Sequence, residues 1–418
     1  MDTSPSTLPA RFAAIMDRLG PWEEAPTLAA GVSGGADSSA LALLGQAWAR
    51  ARGGRLRAMI VDHGLRPAAA TEARLTRDRL AARGIDARIL VATGLHPGSA
   101  LAERARIARY GLLRDACARD GLPHLLLGHH ALDQAETVMT RVLGGSGPRG
   151  LAGMPVLSEG AGPRLLRPLL AESPAALRRF LHESGMTWVE DPSNANPAAR
   201  RARLRQLHAD RGGEGEGTRA LLAATAAAGQ WRATRDHELA AILAERARIH
   251  PEGFALLSHG PIDPEALSAL LRVIGGAVYP PASTAVAALA RDPRPATLAG
   301  VRVQPAQRLG PGWLLTREER SIAPATQAQR GRIWDGRFRV IDDPSPGLTI
   351  GALGPDAARL RDLSNLPAAV LRGLPAFRSG NLLAAVPHLF YRDPAIGQAP
   401  GVVFHPPGPL GGAPFAPI

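Results

Sequence analysis

Leu28-Ala-Ala-Gly-Val-Ser-Gly-Gly-Ala-Asp-Ser-Ser39 runs from a short apolar stretch into a Gly-rich turn, and a helical pattern starts at once. Leu28 to Val32 reads as a buried strand. Ser33-Gly-Gly-Ala-Asp-Ser38 follows it, where glycines allow a tight turn and free N–H groups at a helix start point at an anion. A Ser/Asp-capped helix after a Gly turn has the same local pattern without any ligand. The loop is not a Walker loop, because that pattern requires Lys, and all 49 basic residues of this chain are Arg. It is not G-x-G-x-x-G either.

Outward from the loop, short apolar runs alternate with longer helical patterns. The runs are Leu28 to Val32, Ala58 to Val61, Ile89 to Ala92 and His124 to Leu127. Between them lie helical patterns over Ser38 to Arg52, Thr71 to Arg83, Ser99 to Arg119 and Asp133 to Leu143. This alternation predicts an α/β fold, a parallel sheet with helices on both faces. Ligands of such sheets collect beyond the carboxyl ends of the strands, so the polar residues after each run are the candidates.

At 418 residues the chain is too long for one ordinary core. A catalytic domain is expected over 1–211, closed by the apolar-free segment Arg211-Gly-Gly-Glu-Gly-Glu-Gly-Thr218, which reads as a linker. A mostly helical domain is expected over 218–320, with short strands at Val301 to Gln304 and Trp313 to Thr316. A second linker, Ser321 to Arg330, precedes a small mixed C-terminal domain over 331–418. No stretch reaches the roughly 18 apolar residues that span a bilayer, and Asp2 and Asp17 fall where a signal peptide needs an apolar core. A cytoplasmic protein without a membrane partner is expected. Cys117 is the single cysteine, which excludes an intrachain disulfide and any relay of sulfur between two cysteines. It falls in an apolar helix pattern and is expected in the core. The net charge of +12, carried entirely by guanidinium groups, favours phosphate-bearing partners, nucleic acid above all.

Ser33-Gly-Gly-Ala-Asp-Ser38 resembles the PP-loop of the adenine nucleotide alpha hydrolase-like enzymes, which cleave ATP between the α and β phosphates. Further motifs narrow the resemblance to the tRNA(Ile)-lysidine synthetase family. They are Val61-Asp-His-Gly-Leu-Arg66, Ala105-Arg-Ile-Ala-Arg-Tyr110, Gly128-His-His-Ala-Leu-Asp-Gln-Ala-Glu-Thr137 and Glu190-Asp-Pro-Ser-Asn194, with Trp334-Asp-Gly-Arg-Phe338 and Pro387-His-Leu389 further on. Three positions depart from the family pattern: Leu132 and Gly144 stand where Asp and Arg are usual, and Ala202 interrupts an Arg-Asn-x-Ile-Arg motif.

The resemblance implies a two-step reaction. ATP adenylates the C2 oxygen of the anticodon wobble cytidine of an isoleucine tRNA with a CAU anticodon. The side-chain amine of free L-lysine then displaces AMP. ATP contacts are implied for Ser33, Gly34, Gly35, Asp37, Ser38, Asp62, His63 and His129, with Mg²⁺ between Asp37 and the phosphates. Asp133 and Glu136 stand three apart on one helix face and would hold the lysine ammonium, Asp37, Asp133 and Glu136 being the implied catalytic set. A helix N-terminal capping role is the alternative for the acidic pair. Arg106, Arg109, Arg201 and Arg205 would bind tRNA phosphates. His129 and His130 have no helical metal spacing. A PP-loop thiolase is disfavoured by the lone cysteine. An amide-forming synthetase and a non-catalytic nucleotide- or tRNA-binding module remain as rivals, and the oligomeric state is open, a homodimer included.

Overall fold

The computed structural model describes residues 7–65, 68–96, 98–160, 162–190, 210–281, 283–394, 400–411 and 415–418. Two compact units make up the chain, Met1–Thr234 with Phe415–Ile418, and Arg235–Pro414.

The first unit opens with α1 (Leu8–Arg18) and β1 (Thr27–Val32), followed by α2 (Ala36–Arg50), β2 (Arg55–Asp62), α3 (Ala69–Ala81) and β3 (Asp86–Val91). Next come α4 (Leu101–Arg119), β4 (His124–Leu127), α5 (Ala131–Leu143), α6 (Pro148–Leu151), β5 (Leu157–Ser158), β6 (Arg164–Leu166) and α7 (Pro174–Glu183). The strands form one sheet in the order β3-β2-β1-β4-β6-β5. All neighbours are parallel except β5 on β6. The chain winds outward from β1 to β3 and then crosses to β4 on the other side of β1, so the winding reverses beside the Gly-rich loop.

Strand periodicity explains the two cores. Leu28, Ala30 and Val32 of β1 face Phe12 of α1, Leu41 of α2, Leu80 of α3 and Leu177 of α7. Ala29, with Met59, Leu125, Leu127 and Leu165 from neighbouring strands, faces Leu113, Ala116 and Cys117 of α4. Successive residues point to opposite faces, and both faces are apolar because helices cover both. Cys117 is fully buried, and burial pushes its thiol up to about 11, which suits a core residue and not a reactive one.

The Gly/Glu segment behaves differently from a linker. Asp210 accepts hydrogen bonds from the Gly213 and Gly215 N–H groups at 2.8 Å each and from the Thr218 hydroxyl. The hydroxyl bond, followed by the backbone bonds, holds its carboxyl below the usual range. Glu214 in turn accepts from Ser173 Oγ at 2.9 Å and pairs with Arg179. The segment is therefore a pinned turn at the head of the helix Glu216–Arg246, and the first unit runs on to Thr234. Composition missed this because the ordering comes from side-chain acceptors, not apolar residues.

The second unit carries more sheet than its mostly helical reading. Helices Pro264–Gly275 and Thr284–Arg291 accompany a five-stranded antiparallel sheet, ordered β7-β8-β11-β10-β9. Its strands are β7 (Ala247–Ile249), β8 (Ala255–Leu257), β9 (Ala296–Leu298), β10 (Val301–Pro305) and β11 (Trp313–Arg317). Three of these are three residues long, too short to show alternation in sequence. Two further antiparallel sheets follow, built from strands between Thr326 and Phe404, and the expected second linker contains one of them, Thr326–Gln327. Trp334-Asp-Gly-Arg-Phe338 proves to be a structural knot: buried Asp335 accepts from Arg337 Nε at 2.9 Å and from Arg317 Nη2 at 3.1 Å, while Arg337 Nη1 donates to Gly253 O at 3.1 Å.

Candidate active site

The loop between β1 and α2 is shaped by its own serines. Ser38 Oγ donates to Gly35 O at 3.1 Å, accepts from the Ser33 N–H at 3.1 Å, and lies 3.1 Å from Ser33 Oγ. No side chain caps α2, whose first turn carries Asp37. The unused N–H groups at this end face the loop interior and carry the positive end of the helix dipole. Val189 N–H donates to Gly34 O at 2.8 Å, which brings the start of the Glu190-Asp-Pro-Ser-Asn194 motif back to the loop.

Gly34 is required by two constraints. Its φ is +88°, and a Cβ there would fall 2.4 Å from Thr76 Oγ1 of α3. Gly34→Ala is therefore expected to destabilise the first unit by about 1–3 kcal/mol and to lower its thermal midpoint in calorimetry. An unchanged midpoint would mean that the loop rearranges freely.

The carboxyl ends of the neighbouring strands supply the remaining groups. Asp62 closes β2, is nearly buried, and accepts from Gly64 N–H at 2.9 Å in a local turn. Beyond β4, His130 Nε2 lies 3.5 Å from Asp37 Oδ2 and 3.6 Å from Asp133 Oδ2, so it stands between the loop and the start of α5. Asp133 Oδ2 accepts from the His130 N–H at 3.1 Å, so the capping alternative for this acid is realised, with its side chain still 18% exposed. Glu136 lies one turn further on and is buried, as is Gln134. Gln134 is used structurally, through reciprocal bonds with Met154 N at 2.7 Å and Met154 O at 2.9 Å.

On the α4 side of the sheet edge sit His63, His129, Arg106, Arg109 and Tyr110. The Arg106 and Arg109 guanidinium carbons lie 5.2 and 5.5 Å from the Tyr110 ring centroid. Burial pushes His129 down to about 4 against the pull of Asp133, with Arg167, Arg106 and Arg109 adding to the shift. Burial first, then Arg109, also holds His63 below the usual histidine range. His129 is thus neutral near pH 7.

The structure brings Asp37, His130 and Asp133 together at one end of the sheet, with Glu136 on the same helix as Asp133. Arg66, Asp191 to Asn194, Arg201 and Arg205 lie outside the described residues. Leu132 is buried, and a Cβ on Gly213 would fall 3.2 Å from its Cγ, so an apolar residue suits that position. Gly144 ends α5. Sequence reasoning missed Arg167, which follows β6. Its signal was Leu165-Leu166 ahead of it, a run too short to be taken for a strand.

Among the described residues no group of three or more His, Cys, Asp or Glu is arranged to hold a metal. Asp37 Oδ1 is nevertheless buried without a hydrogen-bond partner. A single carboxylate with an unused oxygen beside a phosphate cradle is the donor set with which Mg²⁺ is commonly held, the substrate phosphates and waters supplying the rest.

Comparison with known proteins gives one family match and three relatives. Residues 7–209 match the family model described as a PP-loop domain. The tRNA(Ile)-lysidine synthase of Mesorhizobium japonicum is 36% identical over 362 residues, covering 82% of this chain and 79% of that protein. That of Ruegeria pomeroyi is 34% identical over 381 residues, covering 86% and 88%. That of Bradyrhizobium sp. strain BTAi1 is 43% identical over 237 residues, covering 56% and 66%.

Proposed function

The chain belongs to the tRNA(Ile)-lysidine synthase family, and from that membership we propose that it ligates free L-lysine to C2 of the wobble cytidine of isoleucine tRNA with a CAU anticodon. The observation that carries the reading is the meeting of the loop carboxylate Asp37 with Asp133 across His130, which sets a phosphate cradle beside an acidic helix start. The cytidine O2 attacks the α-phosphorus of ATP and pyrophosphate leaves. The lysine amine then attacks C2, and the C2–O bond breaks to release AMP.

Ser33, Gly34, Gly35 and Ser38 hold the ATP phosphates through backbone N–H groups and hydroxyls. Asp62, His63 and His129 border the nucleotide from the neighbouring strand ends. Mg²⁺, held by Asp37 and the phosphates, neutralises charge on the polyphosphate when bound. Asp133 and Glu136 bind the lysine ammonium, whose unperturbed pKa near ~10.4 means it must shed a proton before attack. Arg106 and Arg109 contact tRNA phosphates, with Arg201 and Arg205 assigned the same role from sequence alone. In this reading the first unit, which runs on to Thr234, is catalytic, and the later parts of the chain recognise the tRNA body. No helix among the described residues is long and apolar enough to cross a membrane, and the reaction belongs in the cytoplasm, where tRNA and ATP are.

Transfer of labelled lysine to a CAU-anticodon isoleucine tRNA, with equimolar AMP and pyrophosphate, is the expected result. No label on that tRNA beside an active control enzyme overturns the assignment.

A further inference from the structure

Arg167 is nine-tenths buried at the carboxyl end of β6, and among the described residues no carboxylate pairs with it. Its Nη1 donates to Pro155 O at 3.0 Å and to Ser158 Oγ at 2.9 Å, both neutral acceptors. Nε is buried with no acceptor, so the Nε–Nη2 edge meets no protein partner among the described residues. Arg11 is neutralised by Glu172 and Arg337 by Asp335, whereas Arg272, as buried as Arg167, donates to Pro409 O, and half-buried Arg141 to Gly150 O and Gly153 O. An uncompensated buried charge is costly, and it persists where something else supplies the counter-charge.

Its surroundings are cationic. Leu165 faces α4, and two residues along the same strand direction Arg167 faces the same way, toward Arg106 and Tyr110. Burial draws the Arg167 guanidinium down, and Arg106 adds to that effect. Arg106 is itself exposed and forms no ion pair among the described residues. The Nε–Nη2 edge is the side of a guanidinium that grips two oxygens of a phosphate at once.

We propose that Arg167 and Arg106 together form one phosphate-binding site on the α4 side of the sheet edge, separate from the Ser33–Ser38 cradle. This rests on the tRNA reading of the active site. β6 lies two strands from β1, roughly 10 Å at the usual strand spacing, and Arg167 faces away from α2. A phosphodiester beside the target nucleotide therefore suits the site better than the ATP polyphosphate, which is the other source of the same chemistry.

The test measures tRNA affinity across a salt series, and the KM for ATP in tRNA-dependent pyrophosphate release, for Arg167→Met, Arg106→Gln and the double variant. One lost phosphate contact in a single-stranded segment reduces the log–log salt slope by ~0.7. Each single variant is expected to lose that amount, and the double variant no more, because both side chains hold one phosphate. A raised KM for ATP with an unchanged slope would assign the phosphate to ATP and keep the site. A lowered melting point with neither quantity moved would make Arg167 only a tie to Pro155 and Ser158, and overturns the site. Additive slope losses in the double variant overturn the sharing. Should Arg167→Met fail to fold, Arg106→Gln decides, since it is exposed: no change in slope or KM there also overturns the site. Wild-type lysine transfer runs in parallel. Its absence would sink the functional reading, whereas an unchanged slope together with an unchanged KM for ATP, beside normal transfer, sinks only this inference.

Discussion

Asp37→Ala is expected to slow formation of the adenylated tRNA by ~10²–10³-fold, the usual cost of removing one preorganised group that stabilises developing charge. Asp37 lies in the first turn of α2, directly after the cradle, with one carboxylate oxygen 3.5 Å from His130 and the other buried and unpartnered. A carboxylate in that position repels a bare polyphosphate, so its presence makes sense with a cation between the two. The measurement is tRNA-dependent pyrophosphate release, alone and across a Mg²⁺ titration. Asp37→Asn keeps the shape and should show the same loss, with a raised Mg²⁺ requirement. Adenylation within a few-fold of wild type in both variants would remove Asp37 from the reaction.

Glu136→Gln should separate the two chemical steps. The side chain is buried on α5, one turn beyond Asp133, and the substitution keeps its volume. If it faces the lysine ammonium, its neutral replacement leaves a charge without its partner, a loss of ~3–5 kcal/mol in a buried setting. That corresponds to a drop of ~10²–10⁴-fold in kcat/KM for lysine. Pyrophosphate release in the absence of lysine should stay within about twofold of wild type. Equal loss in both assays would show that Glu136 supports the fold of α5 and not lysine binding.

Much of the first unit was legible in the sequence because its inner strands β1 and β4 are covered on both faces. Such strands read as unbroken apolar runs, and β1 to β4 fall within a few residues of the runs that announced them. The loop was legible because its geometry is local: serine hydroxyls and a positive-φ glycine shape it within six residues. The pinned turn around Asp210 was not, since its order comes from one carboxylate accepting several hydrogen bonds. β6 was not, since three residues show no period, and Arg167 went unseen with it. In the second unit, three-residue strands paired over long sequence separations left the same gap.

By itself the sequence determined the cradle, the order of strands and helices, and which strand ends carry polar groups, because each depends on neighbours along the chain. Only the tertiary structure decided which of two adjacent histidines serves which side. His130 stands by Asp37 while His129 sits among Arg106, Arg109 and Arg167, since residues leaving a strand alternate between faces. The strand order also had to be seen. It sets β6 beside β4 and so places a buried, unpaired guanidinium against α4, a juxtaposition of residues some sixty positions apart that no local pattern encodes.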